Sequence, residues 1–369
     1  MNEIFDEKKT SLGMLTFALV MIALIALFVW NLYSSMQMAN IRSTADIKPD
    51  FKTMKELSNK RDDFNAGNNY SRGRLLASVI GDDNSSGIYS ANLSSASVQR
   101  VNTGRFVIED IKSRNGIYVI SAADTGNTKP HELSAPDLYS KMDIYVSTSR
   151  PALAFSKYKK LNINKSVYLP SHISVNSLGK ILFVATDKAS RPKTDTEHLK
   201  GWNIYLTDTH GTGPELLLKD ALYPQWVSNS EFVYLSKDGL YKYSLKGKTH
   251  KKIWDIHGDA NANMKFTVSP DGKYLAWSFI DNSLFVVLKF VKKDVLREVS
   301  ISRAQVLDMQ WLDKNHLAVI GNTTDKKFDL MLLNVENKRI IESKLQKTLD
   351  INSLIKNNTR IYFLDYIKL

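Results

Sequence analysis

Phe266-Thr267-Val268-Ser269-Pro270-Asp271-Gly272-Lys273-Tyr274-Leu275-Ala276-Trp277-Ser278 is the stretch that decides the fold of this chain. Its centre is a turn with a mechanism. Pro270 presets φ at the first central position, Asp271 can bond its own backbone, and Gly272 takes the φ > 0 site from which the chain re-enters a strand. On both flanks the residues alternate with period two and are rich in aromatic and branched types, as strands are. Degenerate copies run from Ile173 to Phe183, from Pro224 to Tyr234 and from Met309 to Val319. Val233, Leu275 and Leu317 stand at equivalent points about 42 residues apart, the spacing of propeller blades.

A second phrase follows each first one, an aromatic-rich strand leading into a polar hairpin. Asn203-Ile204-Tyr205-Leu206, Gly239-Leu240-Tyr241-Lys242 and Phe328-Asp329-Leu330-Met331 carry it. Gly87-Ile88-Tyr89 and Gly116-Ile117-Tyr118 read as the same element. The expectation is an all-β chain, a β-propeller of four-stranded antiparallel blades. About 290 residues at about 42 per blade give seven blades, with six as the alternative, because the phrases blur between Pro130 and Pro170. The tail from Thr359 to Tyr366 reads as a strong strand that completes a blade begun by the N-terminal part, so that no ring edge stays open.

These phrases resemble the TolB-type propeller repeat, in which a Ser-Pro-Asp-Gly-Lys turn precedes an apolar strand and an Ile-Tyr strand follows. The likeness is closest over residues 264–279 and extends roughly over 72–366. TolB itself carries an α/β domain before its propeller, and residues 34–71 are too short to hold one, so the resemblance is to the repeat and not to TolB itself.

From Thr10 to Ile41 there is no charged residue, and the run Leu12 to Tyr33 is apolar and ends in Trp30 and Tyr33. About 20 apolar residues span a bilayer core, and aromatic residues favour its interfaces. The competing readings are a cleaved signal peptide, for which the run is long and Ser35 to Asn40 a poor cleavage site, and a buried globular helix. The expected organisation is a short tail (1–11), a transmembrane anchor (12–33), a polar linker (34–71) and the propeller (72–369). Lys8 and Lys9 before the span nearly balance Arg42, Lys48 and Lys52 after it, so charge does not orient it. A short tail left in the cytoplasm and the extracytoplasmic habit implied by the repeat resemblance point to a periplasmic or extracellular propeller. The absence of cysteine excludes a disulfide framework, a thiolate zinc site and a cysteine nucleophile.

The net charge is +12, carried by the part after the apolar run, with basic clusters at Lys242, Lys246, Lys248, His250, Lys251, Lys252 and at Lys289, Lys292, Lys293, Arg297. Solvated strand edges, anionic head groups or an acidic partner all fit such runs; nucleic acid fits poorly, since no aromatic residues interleave with them. The histidines are scattered, so no metal site or cofactor is expected. There is no Gly-x-Ser-x-Gly elbow, no phosphate-binding loop, and no room for a hydrolase domain before Leu369. Asp187, Asp208, Asp255, Asp271, Asp281 and Asp308 read as turn formers.

One non-repeat stretch, Lys188 to Gly201, lengthens a hairpin by about nine residues, and loops on rigid scaffolds carry recognition. Its Arg191, Lys193, His198 and Lys200 are the expected binding residues for a protein partner in the cell envelope. The leading expectation is a non-catalytic scaffold or binding module. The alternatives are a lactonase- or glycosidase-like propeller enzyme using the central channel, and a receptor for an anionic glycan or lipid.

Overall fold

The computed structural model describes residues 73–341 and 360–368 except 81–85, 93–96, 129–132, 134, 149–153, 164–166, 188–199, 256–263, 280–283, 290–293, 301–303, 324–327 and 335–338. All of them belong to one compact unit, Asp62–Leu369. The expected anchor (12–33) and linker (34–71) lie outside the described residues, and no helix among the described residues is long and apolar enough to cross a membrane.

Strands dominate. In chain order they are β1 (Gly73–Ile80), β2 (Ser86–Asn92), β3 (Ser97–Val101), β4 (Phe106–Arg114), β5 (Ile117–Asp124), β6 (Met142–Ser147), β7 (Lys159–Lys160) and β8 (Tyr168–Val175). There follow β9 (Lys180–Thr186), β10 (Trp202–Asp208), β11 (Glu215–Leu218), β12 (Leu222–Trp226), β13 (Glu231–Ser236), β14 (Gly239–Ser244), β15 (Thr249–Asp255) and β16 (Met264–Val268). The last eight are β17 (Tyr274–Phe279), β18 (Leu284–Lys289), β19 (Asp294–Ser300), β20 (Ala304–Trp311), β21 (His316–Thr323), β22 (Phe328–Asn334), β23 (Arg339–Ile341) and β24 (Arg360–Lys368). One short helix, α1 (Ala135–Ser140), precedes β6.

Among the described residues these strands form six four-stranded antiparallel sheets. Five are consecutive meanders: β4–β7, β8–β11, β12–β15, β16–β19 and β20–β23. The sixth has the order β24-β1-β2-β3, so the terminal strand adds beside the first strand, as the sequence of the tail predicts. The first strand of each sheet packs on the first strand of the next, from β4 through β8, β12, β16 and β20 to β24, which returns to β4. A closed ring of twisted sheets is the arrangement of a propeller, and closure removes the open sheet edges.

The sequence predicts seven blades, with six as the alternative, and six sheets are present among the described residues. The stretch from Pro130 to Pro170, where the repeat phrases blur, contributes α1, β6, a 3₁₀ turn at Phe155–Lys157 and β7 to a single sheet, so its length is spent on insertions. Ile117-Tyr118 also departs from its expected place. It opens β5, the second strand of its sheet, because Asn115 and Gly116, at φ 49° and 77°, turn the chain directly off β4. Such a pair with φ > 0 suits a two-residue hairpin.

The repeat turn is built as its chemistry requires. Gly272 sits at φ 71°, its N–H donates to the Ser269 carbonyl at 2.8 Å, and the Ser269 hydroxyl meets Asp271 at 2.8 Å and accepts from Tyr274 N–H at 2.9 Å. The degenerate copies keep the device while changing the residue. Asn176 Oδ1 accepts from Leu178 and Lys180 N–H (3.0 and 2.9 Å), and Ser228 Oγ accepts from Glu231 N–H at 3.1 Å. Asp313 Oδ1 accepts from Asn315 and His316 N–H, both at 2.8 Å.

The sheets are held together by apolar interlayers. One cluster joins Leu182, Ile204, Trp226, Phe232, Leu240, Leu275 and Trp277; others join Ile111, Ile120 and Phe106, and Val119, Ile173 and Phe183. Polar stitches run between first strands. The Trp226 and Trp311 indoles donate to the Ser174 and Thr267 carbonyls of the preceding sheets, each at 3.1 Å. Gln225 reads the next sheet in both directions, donating to Phe266 O and accepting from Val268 N–H, each at 2.8 Å.

Candidate functional site

Aligning the six first strands on their ends brings one set of residues into register. His172, Tyr223, Lys265, Asp308 and Asp365 each stand three residues before the end of β8, β12, β16, β20 and β24, and Asp110 stands four before the end of β4. Tyr223, Lys265 and Asp308 are about 42 residues apart, so they occupy one position of the repeat. In the ring order Asp308, Asp365 and Asp110 fall on three adjacent sheets, with His172, Tyr223 and Lys265 on the other three.

This girdle faces the ring axis. Lys265 on β16 feels Asp110 and Lys112 on β4, the strand opposite it in the ring, and Lys112 feels Asp308 and Asp365. Influence between opposite strands runs across the central channel. Strand irregularities aim the acids there: the register of β4 slips between Ile108 and Asp110, that of β20 between Val306 and Asp308, and the β24 pairing slips at Leu76/Ala77, opposite Asp365. A bulge re-aims a side chain in this way. On the other half His172 and Tyr223 hold left-handed backbone at φ 46° and 53°. That conformation is strained for such residues and persists where the surroundings impose it.

The acidic half is densely bonded. Asp110 receives Lys112 Nζ at 3.2 Å, Ile111 N–H at 2.9 Å and, across to the next sheet, Ile173 N–H at 2.8 Å. Asp308 accepts from Met309 N–H at 2.8 Å, and Asp365 accepts from the Ser113 hydroxyl at 2.6 Å. Asp365 is 6% exposed, and burial pushes its carboxyl up to about 6, against the pull of Lys112, Ser113 and Tyr366 N–H. Burial likewise raises Asp110, opposed chiefly by Lys112. Burial alone would lower Lys112, but Asp110 and Asp365 overcome it and hold the ammonium above its ordinary value. A low-dielectric channel strengthens all of these couplings.

The other half is aromatic and basic. The His172 and Tyr223 rings meet edge-on with centroids 4.3 Å apart, and Lys265 Nζ lies 5.8 Å from the Tyr223 ring centre, within cation–π range. Burial lowers Lys265, and Asp308 leads the groups that overcome it and raise it.

Of the residues the sequence singled out for binding, Arg191, Lys193 and His198 lie outside the described residues. Lys200 is exposed at the turn leading into β10, where Gly201 N–H donates to Asp220 at 2.7 Å. Asp208 and Asp271 are turn formers as expected, whereas Asp308 belongs to the channel. In the first basic cluster Lys242, Lys248 and Lys252 are paired with Glu231, Glu215 and Asp238 (3.1, 3.9 and 2.6 Å). Among the described residues no group of three or more His, Asp or Glu is placed to hold a metal ion. Asp110, Lys112, Lys265 and Asp365 were not singled out by the sequence; a charge between apolar neighbours, as in Ile-Glu-Asp-Ile, Val-Leu-Asp-Met and Phe-Leu-Asp-Tyr, was the available signal.

No family model matches the chain, and no curated protein matches it. Solved structures with a similar fold include a nidogen/laminin complex (11% identity, 80% of this chain and 98% of that one, TM-score 0.49). TolB from Acinetobacter baumannii shares 14% identity over 79% of this chain and 67% of its own, with TM-score 0.44. An oligogalacturonate lyase in complex with manganese shares 11% over 74% of each chain, with TM-score 0.46. These are distant likenesses of fold, and the ring topology stands without them.

Proposed function

We propose that this chain is a membrane-tethered, six-bladed propeller that docks a protein partner as a non-catalytic component of a bacterial envelope complex. The observation that carries the proposal is the pairing of an uncharged N-terminal run, Thr10 to Ile41, with a closed ring whose acids are largely spent on holding it together. Asp110 and Asp365 bond neighbouring strands and Lys112, which is what a rigid scaffold needs. Recognition then falls to the loops that the ring presents, among them 188–201 with Arg191, Lys193, His198 and Lys200. The propeller lies on the periplasmic or extracellular side, with the N-terminus in the cytoplasm.

Two measurements test this reading. Protease added to spheroplasts digests the propeller and leaves a small anchored fragment; full protection would reverse the orientation. Isolation of the full chain from detergent-solubilised envelopes retains a protein partner in fixed proportion; isolation of the chain alone, under mild and cross-linked conditions alike, would remove the scaffold reading.

A further inference from the structure

Asp110 and Ser113 of β4 bond neighbours in the ring: Asp110 reaches Ile173 of the next sheet on one side, and Ser113 reaches Asp365 of the next on the other. Arg114, one residue further along, does something else. Its Nη2 donates to the carbonyl oxygen of Pro270, in the turn between β16 and β17. In the ring β4 and β16 stand three places apart in either direction, so this bond crosses the mouth of the channel from one sheet to the sheet opposite.

Local chemistry prepares both ends of the span. Arg114 is the last residue of β4, and the chain reverses at once through Asn115 and Gly116, so the side chain leaves its strand at the rim. Arginine combines a long apolar stem with a rigid fork of donors, which suits a distant carbonyl. On the far side the turn spends the Ser269 carbonyl on Gly272 N–H at 2.8 Å, and the next carbonyl, that of Pro270, takes the guanidinium. The proline ring fixes φ, so this acceptor is held in place. Burial holds the Arg114 guanidinium below its ordinary value, and Asp365 on the near side and Asp271 on the far side both oppose it. We propose that Arg114 is a strap across the channel: it closes the mouth on the side of the β4–β5 and β16–β17 turns and braces two opposite sheets against each other, opening only when the Pro270 bond is released.

The strap lies on one face only. In the neighbouring sheet β9 carries the chain away from the corresponding turn, 176–179, so Thr186 and Trp202, which flank the 188–201 stretch, belong to the opposite face. Closure of the strapped mouth and partner docking at that stretch are therefore tested apart.

The test is hydrogen exchange, read segment by segment by mass spectrometry on the full chain in detergent. Arg114→Met keeps the stem and removes the donors. Exchange over 266–279, on the opposite sheet, becomes about fivefold faster, the worth of one hydrogen bond, while 173–183 on an adjacent sheet keeps its rate. Arg114→Lys, with one compact donor group in place of the fork, falls between. The strap is overturned if 266–279 exchanges unchanged in Arg114→Met, or if both segments accelerate alike, which would make Arg114 a general stabiliser. The natural chain decides the matter should Arg114→Met fail to fold. Phenylglyoxal then modifies Arg114 severalfold more slowly than the exposed Arg105, whose one ion pair is to Asp124 at 3.0 Å, and equal rates overturn the strap. A chain that shows the strap and retains no partner would remove the scaffold reading and leave this one standing.

Discussion

Asp365 offers the sharpest test of the channel. It sits on β24, the strand that closes the ring, nearly fully buried, bonded to Ser113 of β4 and near Lys112. Its carboxyl is raised from an ordinary 3.8 to about 6, so the folded ring holds that proton more tightly than the unfolded chain does. The sign follows: the stabilisation is fully present below the ordinary value and is lost as pH rises through about 6. A shift of roughly two pH units corresponds to on the order of 3 kcal/mol of stability lost between about pH 4 and 7. Asp110, raised for the same reason, acts in the same direction. Asp365→Asn removes the charge while keeping an oxygen for Ser113, so the variant should unfold with a flatter pH profile and be more stable than the natural chain at pH 8. The net gain should be about 1–2 kcal/mol, because the amide bonds Ser113 less strongly than a carboxylate does and leaves Lys112 with one partner fewer. Denaturant unfolding followed by tryptophan fluorescence from pH 5 to 8 reads both effects. A natural chain that grows more stable toward pH 8, or a variant with the same slope, would refute the reasoning.

Three further outcomes follow from the geometry. Gly272→Val destabilises by a few kcal/mol, since the site is at φ 71° and a Cβ there would collide with the Val227 carbonyl oxygen; an unchanged melting temperature would contradict this. Removing Thr359 to Leu369 prevents folding or costs several kcal/mol, because it strips β24 from both β1 and its neighbours β4 and β20; thermal unfolding of the truncated chain is the check. Trp311→Phe costs roughly 1–3 kcal/mol by denaturant unfolding, as it leaves the buried Thr267 carbonyl without its indole donor and loses ring volume.

The parts of this fold that the sequence made legible are those written in local chemistry. Ser269-Pro270-Asp271-Gly272 announces its turn because each residue suits its own backbone position, and Asn176, Ser228 and Asp313 repeat the same amide-capping role with other side chains. The tail was legible because a strong strand near the end of a repeat array has an open edge to fill. The girdle was not, because its meaning lies in the ring. Asp308 looks like any turn carboxylate until β20 is set beside β24, one place from β4 in the ring, and a bulge of one residue decides which way it points. Ile117-Tyr118 misled for a related reason: its local pattern fits either the second or the third strand of a sheet, and only the Asn115-Gly116 turn before it separates the two.

Whether the ring holds a protein partner is decided by a paired isolation. The natural chain and a chain carrying Arg191→Ala, Lys193→Ala and Lys200→Ala are recovered from detergent-solubilised envelopes across a salt series. The account predicts a partner in fixed proportion with the natural chain. With the variant, less partner is recovered and the salt dependence is flatter, while stability stays within about 0.5 kcal/mol. Recovery of the natural chain with no protein partner at any salt concentration would contradict it.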